Sequence, residues 1–317
     1  NGAMQVAQRA TSSTSSGLNS IDRWTCNWSG GGVTQAQISE QSGTVFENGF
    51  CNYLRLTNTS NTTTDTDYRF IGQTIEAQNV ANSGWNFKSA SSYVTLSFWV
   101  RSSLAGTYYG WLNSRDGTSK TNTFSFTLSA NTWTKVTKTI SGNSGIDINN
   151  NNEEGLVVHV IPWYGTYYTT SGHTLDAWQT QSSTDRTPDY QQNWANTSNA
   201  TFDLTGVQLE VSDYSSSFEH RSYGDELRRC QRYYEEGMVS QQSYVNSAQD
   251  IAVPAKYTTT KRAAATVTWT DDSSGNVVNI SNITIHRNRV DGAFAHTDSS
   301  GAGNYYFYYI YKASAEI

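Results

Sequence analysis

The sequence predicts an all-β protein: an antiparallel jelly-roll β-sandwich, one connecting α-helix and a smaller C-terminal β domain. Three observations carry that prediction. Apolar and polar residues alternate at period two through much of the first two thirds of the 317 residues. Polar turn-forming stretches rich in Gly, Ser, Asn and Asp separate the alternating runs. One segment alone, SFEHRSYGDELRRCQRYYEEG at 217–237, has its apolar residues at helical spacing. No βα alternation is visible, so a parallel sheet is not expected.

Taken in order, Val94, Leu96, Phe98 and Val100 alternate with Thr95, Ser97 and Trp99 and form a half-buried strand. Phe124, Phe126 and Leu128 form another, and Val136 with Ile140 a third. Between Trp111 and Phe124 the stretch SRDGTSK carries Asp-Gly with strand pattern on both sides, which predicts a hairpin. From 202 to 211 the inward set changes parity, from Phe202 and Leu204 to Val207, Leu209 and Val211, with Gly206 at the change. A glycine bulge explains the change without a slip of the whole strand.

In the helical segment Tyr223, Leu227, Cys230 and Tyr234 line one face, while acidic and arginine side chains take the others. Ser222 is placed to cap the first turn with Asp225 three residues on, and Gly237 to stop the last. A short helix is marginal alone, so this stripe needs a partner surface. After it, strand patterns resume at 264–270, 277–280, 283–286 and 304–312. In the last, Tyr305, Phe307, Tyr309 and Tyr311 share one face and Tyr306, Tyr308 and Ile310 the other, so both faces want cover and a subunit contact is expected. The chain therefore divides into a sandwich at 1–218, a helix at 219–237 and a second β domain at 238–317.

Composition narrows the function. Only 15% of residues are charged, the net charge is −6, and no cluster of Lys and Arg exists to replace phosphate counterions, so nucleic acid is not an expected ligand. The longest apolar run, Leu156 to Trp163, is interrupted by His159 and Pro162 and falls short of the ~18 residues a spanning helix needs. No membrane insertion is expected. The first ten residues show no signal peptide. Cys26, Cys51 and Cys230 lack CxxC spacing and read as buried free thiols of a reducing compartment, with a Cys26–Cys51 bridge as the alternative.

NGAMQVAQRAT with DRW at 22–24, ANTWTKVTKTISG at 130–142 and FDLTGVQLEVSDYSSSFEHRSYGDELRRCQRYYEE at 202–236 resemble the signature segments of bacteriophage tail-fibre and related appendage proteins. They cover the first three quarters of the chain; the last eighty or so residues are similar in style only. Ala10 stands where that family usually has Gly, and the family's usual virion-attachment segment does not precede the motifs in this sequence. The resemblance implies a jelly-roll domain like carbohydrate-binding modules, a helix that gathers chains into a homotrimer, and a distal domain. It also implies a virion protein, assembled in the host cytoplasm and exposed on the particle with other virion proteins, that meets host cell-surface glycan. In such modules Asp203, with Asp22 as companion, is where a structural calcium is held; no other cofactor is expected.

Read from the residues, IPWYGTYYTTSGHTLDAWQ at 161–179 carries Trp163, Tyr164, Tyr167, Tyr168 and Trp178 among hydroxyl and amide side chains, with Trp194 shortly after. Sugars offer flat C–H faces ringed by hydroxyls, so these rings are the candidate carbohydrate contacts. The same rings serve equally as caps of the core or as subunit contacts. Tyr108, Tyr109 and Trp111 read as an ordinary strand. Asp147, Asn149, Asn151 and Glu153 echo a calcium loop but lack its glycine and its register, and read as a polar turn. No HExxH, GxSxG or GxxxxGK pattern occurs, and no enzyme is expected. Tyr223, Leu227, Cys230 and Tyr234 are the candidate oligomerisation residues. Two further readings stay open: a virion spacer or decoration protein without a binding site, and a polysaccharide depolymerase.

Overall fold

Alternation at period two puts every second side chain on the same face, and two such apolar faces meet across a sandwich core. The computed structural model describes residues 1–277 and 284–317 and divides into two units, 1–221 and 222–316. The first contains β1 (Ser12–Ser13), β2 (Thr25–Trp28), β3 (Gly32–Ser39), β4 (Asn52–Ser60), β5 (Tyr68–Glu76), β6 (Tyr93–Ser102), β7 (Gly106–Ser114), β8 (Lys120–Leu128), β9 (Thr134–Ser141), β10 (Glu154–Tyr164), β11 (Trp178–Thr180) and β12 (Thr201–Glu210). Two short helices, α1 (Thr44–Glu47) and α2 (Ala77–Ala81), interrupt them.

The strands form two six-stranded antiparallel sheets, ordered β1-β3-β4-β12-β6-β9 and β11-β8-β7-β10-β5-β2. This is the jelly-roll sandwich that the alternation predicts. Val94, Leu96, Phe98 and Val100 from one sheet and Leu112, Phe124, Val158 and Val160 from the other fill one continuous core. Each such side chain contributes about 1.5–3 kcal/mol by leaving water. The Asp-Gly hairpin joins β7 to β8 in unbroken register. Gly206 has φ +61° and sits at the register shift between Thr205 and Gln208, so the bulge is real. Beyond it Val207 and Leu209 again pack on the core.

In the second unit α3 spans Tyr223–Gln231, and Ser222 caps it by accepting from the Asp225 amide at 3.2 Å. The helix is shorter than the 219–237 read from spacing. From Tyr234 onward the chain pairs with the C-terminal strand and becomes β13 (Tyr234–Val245), because twelve paired residues outweigh another helical turn. Gly237 is therefore not a helix stop: a Cβ there would lie 2.4 Å from the Tyr311 hydroxyl, so the glycine leaves room for that ring. The helix belongs to the same compact unit as the strands that follow. Those strands are β14 (Asp250–Lys256), β15 (Thr266–Gly275), β16 (Thr284–Asn288), β17 (Gly292–Asp298) and β18 (Gly303–Ser314). They make two three-stranded sheets, β13-β18-β15 and β14-β17-β16. The strand read at 277–280 lies, beyond Val277, outside the described residues.

The oligomerisation stripe divides. Cys230 and Tyr234 are buried within the chain, 1% and 4% exposed, and are not available to a sister copy. Tyr223 is 58% exposed and Leu227 half-buried. The tyrosine-rich β18 divides likewise: Tyr305, Phe307, Tyr309 and Tyr311 are buried, whereas Tyr306 and Tyr308 stay open. The expectation of cover holds inside the chain for one face only. A buried ion pair organises this unit: Lys261 Nζ lies 2.7 Å from Glu235, which also accepts from the Tyr311 hydroxyl at 2.8 Å and the Thr258 amide at 3.0 Å.

Candidate functional site

The outer face of the second sheet is as aromatic as its inner one. Alternation on β7 turns Tyr109 and Trp111 outward, opposite Ile161 and His159 of β10, while β5 adds Tyr68 and Phe70. The rings stack across three strands. Phe70 and His159 have centroids 4.3 Å apart at 17°, and His159 and Trp111 5.0 Å apart at 28°. Gly72 lies opposite His159 in the ladder, and a Cβ there would meet the ring at 2.7 Å, so glycine gives the imidazole its place. Burial pushes the His159 pKa down to about 3, and the Arg115 and Arg186 charges add to the effect. The ring is neutral.

At the end of β10 a register shift between Val160 and Trp163 reverses the alternation. Trp163 consequently points into the sandwich core and Tyr164 onto the outer face. Residues 165–192 then cross that face, starting with a 3-10 turn at Thr166–Tyr168. Arg186 holds its guanidinium 4.7 Å over the Tyr168 ring and 6.0 Å from both Trp111 and Tyr164. Tyr190 meets Tyr109 edge to face at 5.0 Å and donates to the Ile161 carbonyl at 3.2 Å. His173 Nδ1 lies 2.7 Å from Asp185, joining two parts of the crossing segment.

The predicted carbohydrate residues part company here. Trp194 is fully buried, with its indole nitrogen donating to the Thr201 carbonyl, and Trp163 is 8% exposed in the core; neither can touch a sugar. Tyr164 is 2% exposed beneath the crossing segment, and burial raises its phenol pKa. Trp178 is half-buried, packs on the core edge and donates to the Ser141 carbonyl at 2.6 Å. Tyr167 and Tyr168 alone of the six combine exposure with one another's company: Tyr167 is 48% exposed, and its ring stands edge-on to Tyr168 at 5.1 Å. Tyr168 in turn contacts Tyr164 at 5.5 Å and Tyr68 at 6.0 Å, so the surface pair is the outer end of the buried stack.

Sequence reasoning missed Tyr68, Phe70, Trp111, His159, Arg186 and Tyr190. The signal was present: β7, β5 and β10 carry aromatic or imidazole rings at positions whose neighbours already fill the core, and a strand with two apolar faces expects cover on both.

Asp203, the expected calcium ligand, has arginine partners in the structure. Its carboxylate is fully buried between Arg55, at 2.7 and 2.9 Å, and Arg101, at 2.8 Å, and these guanidiniums occupy both oxygens. Asp22 accepts from the main chain and side chain of Gln8 instead. Among the described residues no group of three His, Cys, Asp or Glu side chains is placed to hold a metal. Asp147, in the calcium-like stretch, pairs with Lys88 at 2.7 Å, as a polar turn requires. All three cysteines are free, with Cys26 and Cys230 buried and, against expectation, Cys51 exposed. Among the described residues no helix is long and apolar enough to cross a membrane.

A cavity of about 550 Å³ lies between Gln73, Gln208, Glu210 and the 216–221 segment. Gln208 and Glu210 are already bonded to Ser216. Although partial desolvation opposes it, those bonds hold the Glu210 carboxyl below its usual range.

No family model matches the chain, and no curated protein matches it in sequence. Solved structures do resemble it in fold. A family 11 carbohydrate-binding module of a Clostridium thermocellum cellulase superposes with a TM-score of 0.32 at 11% identity, over 67% of this chain and 98% of the module. The N-terminal cellulose-binding domain of a Cellulomonas fimi β-1,4-glucanase gives 0.32 at 10% identity, over 66% of this chain and all of that domain. The enzymatically active domain of tailspike protein 4 of bacteriophage CBA120 gives 0.32 at 11% identity, over 60% of this chain; the chain spans only 19% of that domain. Likeness at this level assigns no residue a role.

Proposed function

We propose that this chain is a non-enzymatic bacteriophage virion protein of the tail-fibre kind, which binds host-surface glycan through the Tyr167–Tyr168 end of its aromatic stack. The single observation that carries the site is the exposed Tyr167 ring, braced edge-on by Tyr168, with the exposed residues Thr166 and Thr170 close by in the chain. A ring held from behind loses little freedom on binding and presents its plane to a sugar C–H face. The sequence motifs shared in kind with phage appendage proteins supply the setting, and a homotrimer supplies the avidity. One shallow aromatic contact is weak, but linked copies raise effective affinity by about 10² to 10⁴ without new contacts.

Glycan-array binding by the intact protein tests this. Tyr167→Ala should lower retention at least tenfold with an unchanged melting temperature, because that ring is 48% exposed, and Tyr167→Trp should keep retention. Retention unchanged in Tyr167→Ala removes the site. No retention of any host polysaccharide by the wild type favours a spacer.

A further inference from the structure

Beneath residues 165–192 the aromatic face is imperfectly sealed. The Trp111 indole nitrogen, the Asn113 side-chain oxygen and His159 Nδ1 are all buried there without a hydrogen-bond partner. All three sit on the outward side of two neighbouring strands, Asn113 and Trp111 on β7 and His159 on β10. Native interiors normally satisfy such atoms, so three on one small face mark a surface built for a different partner than the one covering it. The covering segment is of the opposite kind. Its one strand, of three residues, is anchored on β8, and it carries Asp176 at φ +56°. Over the ring stack itself it is held by the Arg186 guanidinium lying over three rings and by a few side-chain bonds, Tyr190 to the Ile161 carbonyl, Tyr109 to the Asp189 carbonyl and Asn113 to Gln181.

We propose that residues 165–192 are a movable cover, and that its displacement exposes the Trp111–His159–Phe70 stack as the floor of a cleft for a neutral, linear oligosaccharide. This rests on the glycan-binding reading above and extends its site inward. The chemistry fits that ligand class: consecutive stacked rings suit consecutive sugar planes, while one indole donor and one amide acceptor beside them await hydroxyls. His159 is uncharged, Arg115 beside it is paired with Glu154 at 3.4 Å, and Arg186 leaves with the cover, so the floor makes no demand for an acidic sugar. While the cover is closed, apparent affinity falls by the fraction of molecules that are open.

Thiol labelling measures the opening without any sugar. In a background lacking both Cys51 and Cys230 (Cys51→Ser with Cys230→Ser), Ile161→Cys puts a thiol on the covered face, and the core residue Cys26 serves as an internal reference that is reached only by unfolding. A maleimide should label the new thiol at least tenfold faster than Cys26, and Arg186→Ala should speed it further by threefold or more. Labelling of both thiols at one rate overturns the cover. Should Ile161→Cys fail to fold, Thr187→Cys, fully buried on the cover itself, gives the same comparison. On a cellohexaose surface Arg186→Ala should be retained more strongly than wild type. Weaker retention overturns the cover, because Arg186 then contacts sugar directly. Fast labelling with no retention by either protein keeps the cover and overturns the neutral linear oligosaccharide as its ligand, while the glycan array decides the Tyr167 site separately.

Discussion

Phe70 and His159 lie face to face, ring centroids 4.3 Å apart with 17° between the planes, and that stack fixes an uncharged imidazole in a buried aromatic row. The His159 pKa is held down to about 3, against ~6.5 in an unfolded chain. Between those values the unfolded state binds a proton that the folded state refuses, so stability is full above pH ~6.5 and falls as pH drops. At pH 5 the penalty reaches about 2 kcal/mol. Urea titrations at pH 7.5 and pH 5 should show that loss in the wild type, and a His159→Gln variant should lack it.

Asp203 should be the most sensitive carboxylate of the sandwich. Its side chain is 1% exposed and bonded to Arg55 and Arg101, themselves 29% and 21% exposed. Asp203→Ala leaves two guanidiniums facing each other across β12, at a cost of about 3–5 kcal/mol. Guanidinium unfolding measures it directly. Replacing Arg101 and Asp203 together should cost less than the sum of the two single changes.

Gly206→Ala tests the bulge. The backbone there has φ +61°, and a Cβ would lie 2.7 Å from the Phe50 ring and 3.0 Å from Trp99. Strain and crowding act together, and a loss of about 2–3 kcal/mol is expected in thermal unfolding. The change Gly43→Ala, where no atom lies within 4 Å of the added Cβ but φ is +80°, isolates the backbone part.

A trimer predicts a particle three times the 35.1 kDa chain mass by light scattering. With Cys230 and Tyr234 consumed inside the chain, the contact must use Tyr223 and Leu227. Tyr223→Glu should shift the mass toward that of a single chain while leaving the melting of the sandwich unchanged. A wild-type monomer at micromolar concentration excludes the avidity argument.

What the sequence determined by itself is whatever depends on local periodicity. The strands at 94–100, 124–128 and 136–140, the Asp-Gly hairpin, the Gly206 bulge and the Ser222 cap all follow from side-chain alternation, turn chemistry or capping, which act over a few residues. Partnership between distant segments needed the tertiary structure. Tyr234 joins a strand because Ser314 pairs with it, and Asp203 is an arginine partner because strand order sets β4 and β6 on either side of β12. Trp163 and Tyr164 are adjacent in sequence, yet one fills the core and the other the outer face, because of a register shift. Burial is a property of what packs above a residue, and the segment that packs above Trp111 and His159 lies elsewhere in the chain. For that reason an aromatic-rich loop was legible as a candidate site, while the stack beneath it was not.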